Sequence, residues 1–275
     1  MTWWAVDVRV PEGRREPVGA WLVAHTGFGV EERTDGTLVS GADTEAAADA
    51  LIRAVREAHD DAAASGRPLA DVDWSSRWRD GLAARRFGRL TVTPSWIDGA
   101  AAGPHTVVID PEMAFGSGEH GSTRAALTLL ERHLVPGNLV LDLGSGSGIL
   151  AIAAAALGAV RAIGVDNDAD ANVVAARNAT RNGVAEGVTF IDGDAGELAP
   201  LLGPADLLLS NILRNVNTQL LPAIHAALRP GGLAIFSGME AAEADLFLPD
   251  LSRAEFDPVD AIVDAGWWAV AARRR

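Results

Sequence analysis

The stretch Val140-Leu141-Asp142-Leu143-Gly144-Ser145-Gly146-Ser147-Gly148 constrains this chain more than any other part of it. An apolar run carries an acid near its end, glycine then takes every second position, and an alanine-rich apolar helix begins at once behind them. Glycines permit a tight turn and let a ligand lie against bare backbone. A helix opening behind the turn aims its first amide groups at that ligand. The same rhythm continues to the end of the chain. Strands are expected over 139–143, 161–166, 187–191, 205–210 and 232–237, and helices over 147–157, 169–182, 216–228 and 240–250. Two more strand-like segments, 254–263 and 267–272, close the chain as an antiparallel hairpin. Continuous apolar strands alternating with helices predict an α/β domain, a Rossmann-like and mostly parallel sheet covered on both faces.

The turn also discriminates between ligands. Dinucleotide enzymes use G-x-G-x-x-G, with pyrophosphate over the helix N-terminus. Here the spacing is G-x-G-x-G, and Asp142 stands just ahead of the first glycine. A carboxylate beside the loop repels a pyrophosphate and suits an amino group and a sulfonium, which favours S-adenosylmethionine over NAD. Asp142, Gly144 and Gly146 are therefore candidate cofactor residues. The second strand ends at Asp166, where an acid accepts hydrogen bonds from both ribose hydroxyls. Capping of the next helix is the competing role, and it is the one expected of Asp168. The third strand leads to Asp194, which either meets the adenine amino group or is solvated in a loop. The fourth strand runs into Ser210-Asn211-Ile212-Leu213. Ligands bind beyond the carboxyl ends of such strands, so Asn211 is expected at the methyl-transfer centre, its side-chain oxygen open to an attacking amine. The alternative is a loop residue capping the next helix.

Asp110-Pro-Glu-Met-Ala-Phe-Gly-Ser-Gly-Glu-His-Gly-Ser-Thr123 has no generic Rossmann role. Glycines, an aromatic, a histidine and two hydroxyls ahead of a helix expected over 124–133 suit a lid over a ligand. Thr123 is a candidate contact or an N-cap. His120 is a candidate catalytic group on the substrate side, or a surface histidine.

In front lies a small α+β unit, residues 1–66. A strand is expected over 3–10, a helix over 17–24 ended by Gly27-Phe28-Gly29, and a hairpin over 30–39 with a two-residue turn at Asp35-Gly36. A helix capped by Thr44 follows. Residues 62–73 carry Gly, Pro and small polar side chains without a periodic face and read as a linker. Trp74 and Trp78, at i and i+4, mark a short helix within a connecting region at 67–88. The second domain then covers 89–275.

Composition narrows the partners. The net charge is -14, from 37 acids and 23 bases, and every base is Arg. Nucleic-acid binders carry a basic surface, so direct nucleic-acid binding is not expected, and a basic protein or cationic molecule is. The absence of cysteine excludes disulfides, thiolate zinc sites and cysteine nucleophiles, and no metal site is expected. No apolar run reaches the ~18 residues of a membrane span. The N-terminal residues lack a secretion signal, so a cytoplasmic location is expected.

DPEMAFGSGEHGST, VLDLGSGSGILAIAAAALGA, AIGVDND, ATRNGV, SNIL and RPGGLAIFSG together resemble the ribosomal protein L11 methyltransferases (PrmA) over nearly the whole chain. The Trp74–Trp78 segment is similar to that family's interdomain linker. The resemblance implies a class I methyltransferase fold behind a ferredoxin-like substrate domain; a monomer is expected. It implies transfer of methyl groups from S-adenosylmethionine to lysine and N-terminal amines of that ribosomal protein. The family's cofactor positions carry over to Thr123, Gly144, Asp166 and Asn211. The chain departs from the family at Gly121-Ser122, where a hydroxyl pair is usual after the histidine, and at Trp267-Trp268, where an acid usually precedes one Trp. The competing readings are a methyltransferase for another protein or a small amine, and a non-catalytic S-adenosylmethionine-binding module.

Overall fold

The computed structural model describes residues 3–26, 30–33, 35–68, 83–97, 103–110 and 115–275. The chain divides into two compact units, Met1–Asp80 and Gly81–Arg275.

The first unit runs β1 (Trp4–Arg9), α1 (Arg15–Thr26), β2 (Val30–Glu32), β3 (Leu38–Ala42), α2 (Glu45–Ala58) and β4 (Ala63–Pro68). The sheet order β2-β3-β1-β4 is antiparallel throughout, which with this βαββαβ succession is the ferredoxin-like arrangement. The Thr44 hydroxyl caps α2 by accepting from the Ala47 N–H at 3.2 Å. Ala48, Leu51 and Val55 of that helix pack on Val6 and Val8 of β1. The β2–β3 hairpin forms, but Glu32 pairs with Leu38, so the connection is five residues rather than two. Gly36 supplies the left-handed conformation within it. The larger correction concerns residues 62–73. Ala63–Pro68 is no linker but an edge strand in full register with β1. Its sequence, AASGRP, lacks the alternation that marks a strand, and backbone pairing with β1 replaces it. Pro68 is tolerated because it ends an edge strand. Trp74 and Trp78 lie outside the described residues, as does Gly27-Phe28-Gly29.

The second unit opens with a small sheet, β5 (Arg85–Phe87), β6 (Leu90–Thr93) and β7 (Thr106–Val108), the first of these inside the expected connecting region. Helix α3 (Gly121–His133) leads to β8 (Leu139–Leu143), α4 (Ile149–Ala156), β9 (Arg161–Asp166), α5 (Ala169–Arg181) and β10 (Val188–Asp192). Then come α6 (Ala195–Leu202), β11 (Ala205–Asn211), α7 (Arg214–Ala227), β12 (Leu228–Glu240), α8 (Ala244–Arg253), β13 (Phe256–Asp264) and β14 (Trp267–Arg274). The sheet order is β10-β9-β8-β11-β12-β14-β13, parallel except for the closing hairpin. Alternate side chains enter opposite layers. Val140, Leu207 and Leu209 join the core with α3 and α4, while Leu141, Leu143 and Leu208 join the core with α7 and α8. Helix α6 was not expected; only eight residues long, it contains Pro200. The strand order reverses between β8 and β11, and such a switch point opens a crevice beyond the strand ends. Among the described residues, no helix is long and apolar enough to cross a membrane.

Candidate functional site

A cavity of about 410 Å³ occupies that crevice, within the ~300–1,000 Å³ range of small-molecule sites. It is lined by Gly144 and Gly146 of the glycine turn, Asp166 at the end of β9, Asn211 and Ile212 at the end of β11, and His120 and Trp267.

The glycine loop is held at both ends. The Gly144 and Ser145 N–H groups donate to the Val165 carbonyl at 2.8 and 3.3 Å, and the Ser147 N–H donates to the Phe115 carbonyl at 2.9 Å. The Ser147 hydroxyl adds a bond to the Gly116 carbonyl at 2.6 Å. Gly146 lies at φ 52°, and a Cβ on it would come within 2.6 Å of the Phe115 carbonyl oxygen. Only glycine fits there. Its N–H donates to Asp166 Oδ2 at 2.8 Å, and the Asp168 N–H donates to Asp166 Oδ1 at 3.0 Å. These bonds aim the Asp166 carboxylate at the cavity. Asp168 caps α5, as expected, by accepting from the Asp170 and Ala171 N–H groups.

Asp142 does not line the cavity. It is 1% exposed beneath the loop, where Oδ2 accepts from the Ala151 N–H at 3.0 Å. Gly148, the residue preceding α4, has no side chain to cap that helix. Asp142 satisfies one of its free N–H groups from the neighbouring strand instead. Burial pushes its carboxyl up to about 7, and the Asp166 charge adds to the shift. Asp194 is also off the wall. It caps α6, accepting from Gly196 and Glu197 N–H groups at 2.7 and 3.0 Å, a role invisible while that helix was unforeseen.

Thr123 is not an N-cap. Helix α3 starts at Gly121, and the buried Thr123 hydroxyl accepts from Asn211 Nδ2 at 3.2 Å. Asn211 does not cap α7, whose preceding residue is Leu213. Its Oδ1 is buried on the cavity wall without a hydrogen-bond partner, and an unsatisfied acceptor there is costly unless a ligand fills it. His120 shares a hydrogen bond between Nδ1 and the Ser122 hydroxyl at 2.7 Å. Its ring sits 4.3 Å from Trp267 and 5.4 Å from Phe115. Burial, and then the Arg124 charge, hold its pKa below the usual histidine value, so the ring is neutral at pH 7.

Two asparagines escaped sequence reasoning. Asn217, fully buried on α7, accepts from the Ser210 hydroxyl and donates to the Ile212 and Ser237 carbonyls. Asn178 on α5 joins the backbone of Asp110 to the Ser147 carbonyl. Both are polar residues on otherwise ordinary helical faces, and no motif distinguishes them.

The model of the family "Ribosomal protein L11 methyltransferase (PrmA)" matches residues 3–275. The chain belongs to this family. A ribosomal protein L11 methyltransferase of Pelotomaculum thermopropionicum is 42% identical over 213 residues, covering 77% of this chain and 68% of that protein. Its counterpart from Thermus thermophilus is 39% identical over 203 residues, covering 74% and 78%. Among solved structures, the ribosomal protein L11 methylase of Lactobacillus delbrueckii subsp. bulgaricus superposes with a TM-score of 0.63 at 29% identity, over 70% of this chain and 99% of that one. Membership in the PrmA family accounts for the ferredoxin-like unit, the seven-stranded sheet with its closing hairpin and the cavity beyond β8 and β11.

Proposed function

We propose that this PrmA-family methyltransferase transfers methyl groups from S-adenosylmethionine to lysine side-chain amines and the N-terminal amine of ribosomal protein L11, with Asn211 receiving the acceptor amine. The observation that carries this reading is the partnerless Asn211 Oδ1 on the cavity wall. An amine N–H is the donor it lacks.

The residues suit the cofactor. Gly144 and Gly146 offer bare backbone to its methionine part, and Asp166, anchored by two N–H groups, keeps lone pairs for the ribose hydroxyls. S-adenosylmethionine supplies a methyl group already activated on a sulfonium. The protein therefore contributes position, exclusion of water and a dipole for the amine. A lysine of pKa ~10.4 costs roughly 4–5 kcal/mol to deprotonate at pH 7, and an α-amine of pKa ~7.7–8.0 about 1–1.5 kcal/mol. Asn211 Oδ1 and the backbone carbonyl beside it orient the lone pair of the neutral amine. His120, neutral and beside the cavity, is the group placed to take the departing proton.

The acidic chain suits a basic ribosomal protein. The working form is a monomer in the cytoplasm, without direct contact to nucleic acid. The test is the intact mass of unmodified L11 after incubation with enzyme and S-adenosylmethionine, followed by peptide mapping. Methyl increments on lysine and the N-terminal residue are expected; increments elsewhere, or none while the cofactor binds, would refute the reading.

A further inference from the structure

The first turn of α3 and the tip of the β13–β14 hairpin, 140 residues apart, meet through one guanidinium. Arg124 donates from Nε to Asp264 Oδ2 at 2.8 Å and from Nη2 to Asp264 Oδ1 at 2.6 Å. A two-pronged pair sets angle as well as distance. The remaining Nη1 donates to the carbonyl of Glu119, the residue before His120. The Glu119 carboxylate is held in turn by Arg85 of β5 and by the Ala83 N–H.

Gly121 allows this approach. A Cβ there would sit 2.5 Å from the Asp264 carbonyl oxygen and 2.8 Å from Trp267 Cδ1. Between Asp264 and Trp267 the chain reverses through Ala265 and Gly266, both at positive φ. The clamp thus grips a tight turn just ahead of Trp267, whose ring lies against His120 on the cavity wall. The side chains of Arg124 and Asp264 are 17% and 32% exposed. The pair is part-buried, and its two parallel bonds fix how the hairpin tip is oriented against α3.

We propose that Arg124 and Asp264 are positioning residues for methyl transfer: their pair locks the hairpin tip to the His120 turn and sets the Trp267–His120 wall of the cavity that Asn211 also lines. This rests on the reading that Asn211 receives the acceptor amine in this cavity, with His120 beside it. In-line transfer needs the amine held close to the methyl group, and small misplacements are costly. Asp166 is anchored by the Gly146 and Asp168 N–H groups, which the clamp does not touch, so cofactor affinity is expected to depend less on the clamp than turnover does.

The protein is labelled with 5-fluorotryptophan at its eight Trp positions, and the Trp267 resonance is assigned with Trp267→Phe. In Asp264→Asn and Arg124→Gln, that resonance shifts or broadens, and kcat on L11 falls roughly tenfold while S-adenosylhomocysteine affinity stays within about twofold. Arg124→Lys, which keeps the charge but not the two prongs, is expected to behave like Arg124→Gln. An unmoved resonance in both Asp264→Asn and Arg124→Gln overturns the clamp, as does a moved resonance with unchanged kcat, or full activity in Arg124→Lys. If Arg124→Gln does not fold, Asp264→Asn decides. The underlying reading fails separately: Trp267→Ala with unchanged turnover takes this wall out of the reaction, and the proposal with it.

Discussion

Asp142 and Asp166 end neighbouring strands and differ in what surrounds them. Asp166 meets two backbone N–H groups at the cavity edge, whereas Asp142 is enclosed with one oxygen unpartnered. Burial favours the neutral form of Asp142 and pushes it up to about 7, against ~3.9 in an unfolded chain. The folded state therefore holds this proton as pH rises through 4 while the unfolded state loses it. Stability falls across pH 4–7, by on the order of 4 kcal/mol in the limit, and the loss is complete above 7. Asp142→Asn should lack this decline, so wild type minus variant in urea unfolding at pH 5 and pH 8 isolates it. At Asn211, replacement by Ala removes the amide that meets the amine and leaves the cofactor's backbone contacts. Its kcat on L11 should drop ~100-fold, with S-adenosylmethionine affinity little changed by calorimetry. Equal losses in both would make Asn211 a cofactor ligand only.

Buried amides also join elements at this site. Asn217 ties α7 to the end of β11 and to β12 with three hydrogen bonds. Asn217→Ala leaves the Ser210 hydroxyl and two carbonyls without partners and should cost roughly 2–4 kcal/mol in denaturant unfolding. Activity per folded molecule should fall too, because the Asn211–Ile212 tip loses its anchor. The contrast with β4 is instructive. Its six residues show no apolar pattern, yet backbone pairing with β1 makes them a strand. Where an element depends on its own side-chain period, as in α2 or β8, it was legible. Where it depends on a neighbour, as in β4, it was not.

For the molecule as a whole, the net charge of -14 acts over distances at which no single contact does. Attraction to a basic partner is screened within a Debye length of ~8 Å at physiological salt. Between 50 mM and 300 mM salt, KM for L11 should therefore rise several-fold while kcat holds, measured by initial rates of methyl incorporation. A small acidic peptide carrying one lysine should show no such dependence. All 23 bases are Arg, so every methyl-lysine formed in such an assay belongs to the partner.

What the amino-acid order determined by itself is what local pattern can carry: the alternating strands and helices, the glycine turn after β8, and the placing of Asp166 and Asn211 at strand ends. These follow from periodicity and backbone freedom, which act between residues a few positions apart. Only the tertiary structure decided what each polar side chain does. It turned Asp142 inward as a helix cap and spent Asp194 on α6. It joined Thr123 to Asn211 across 88 residues and set Arg124 against Asp264 across 140. Such pairs depend on which strand ends the sheet order brings together, and that order arises only when the whole core packs.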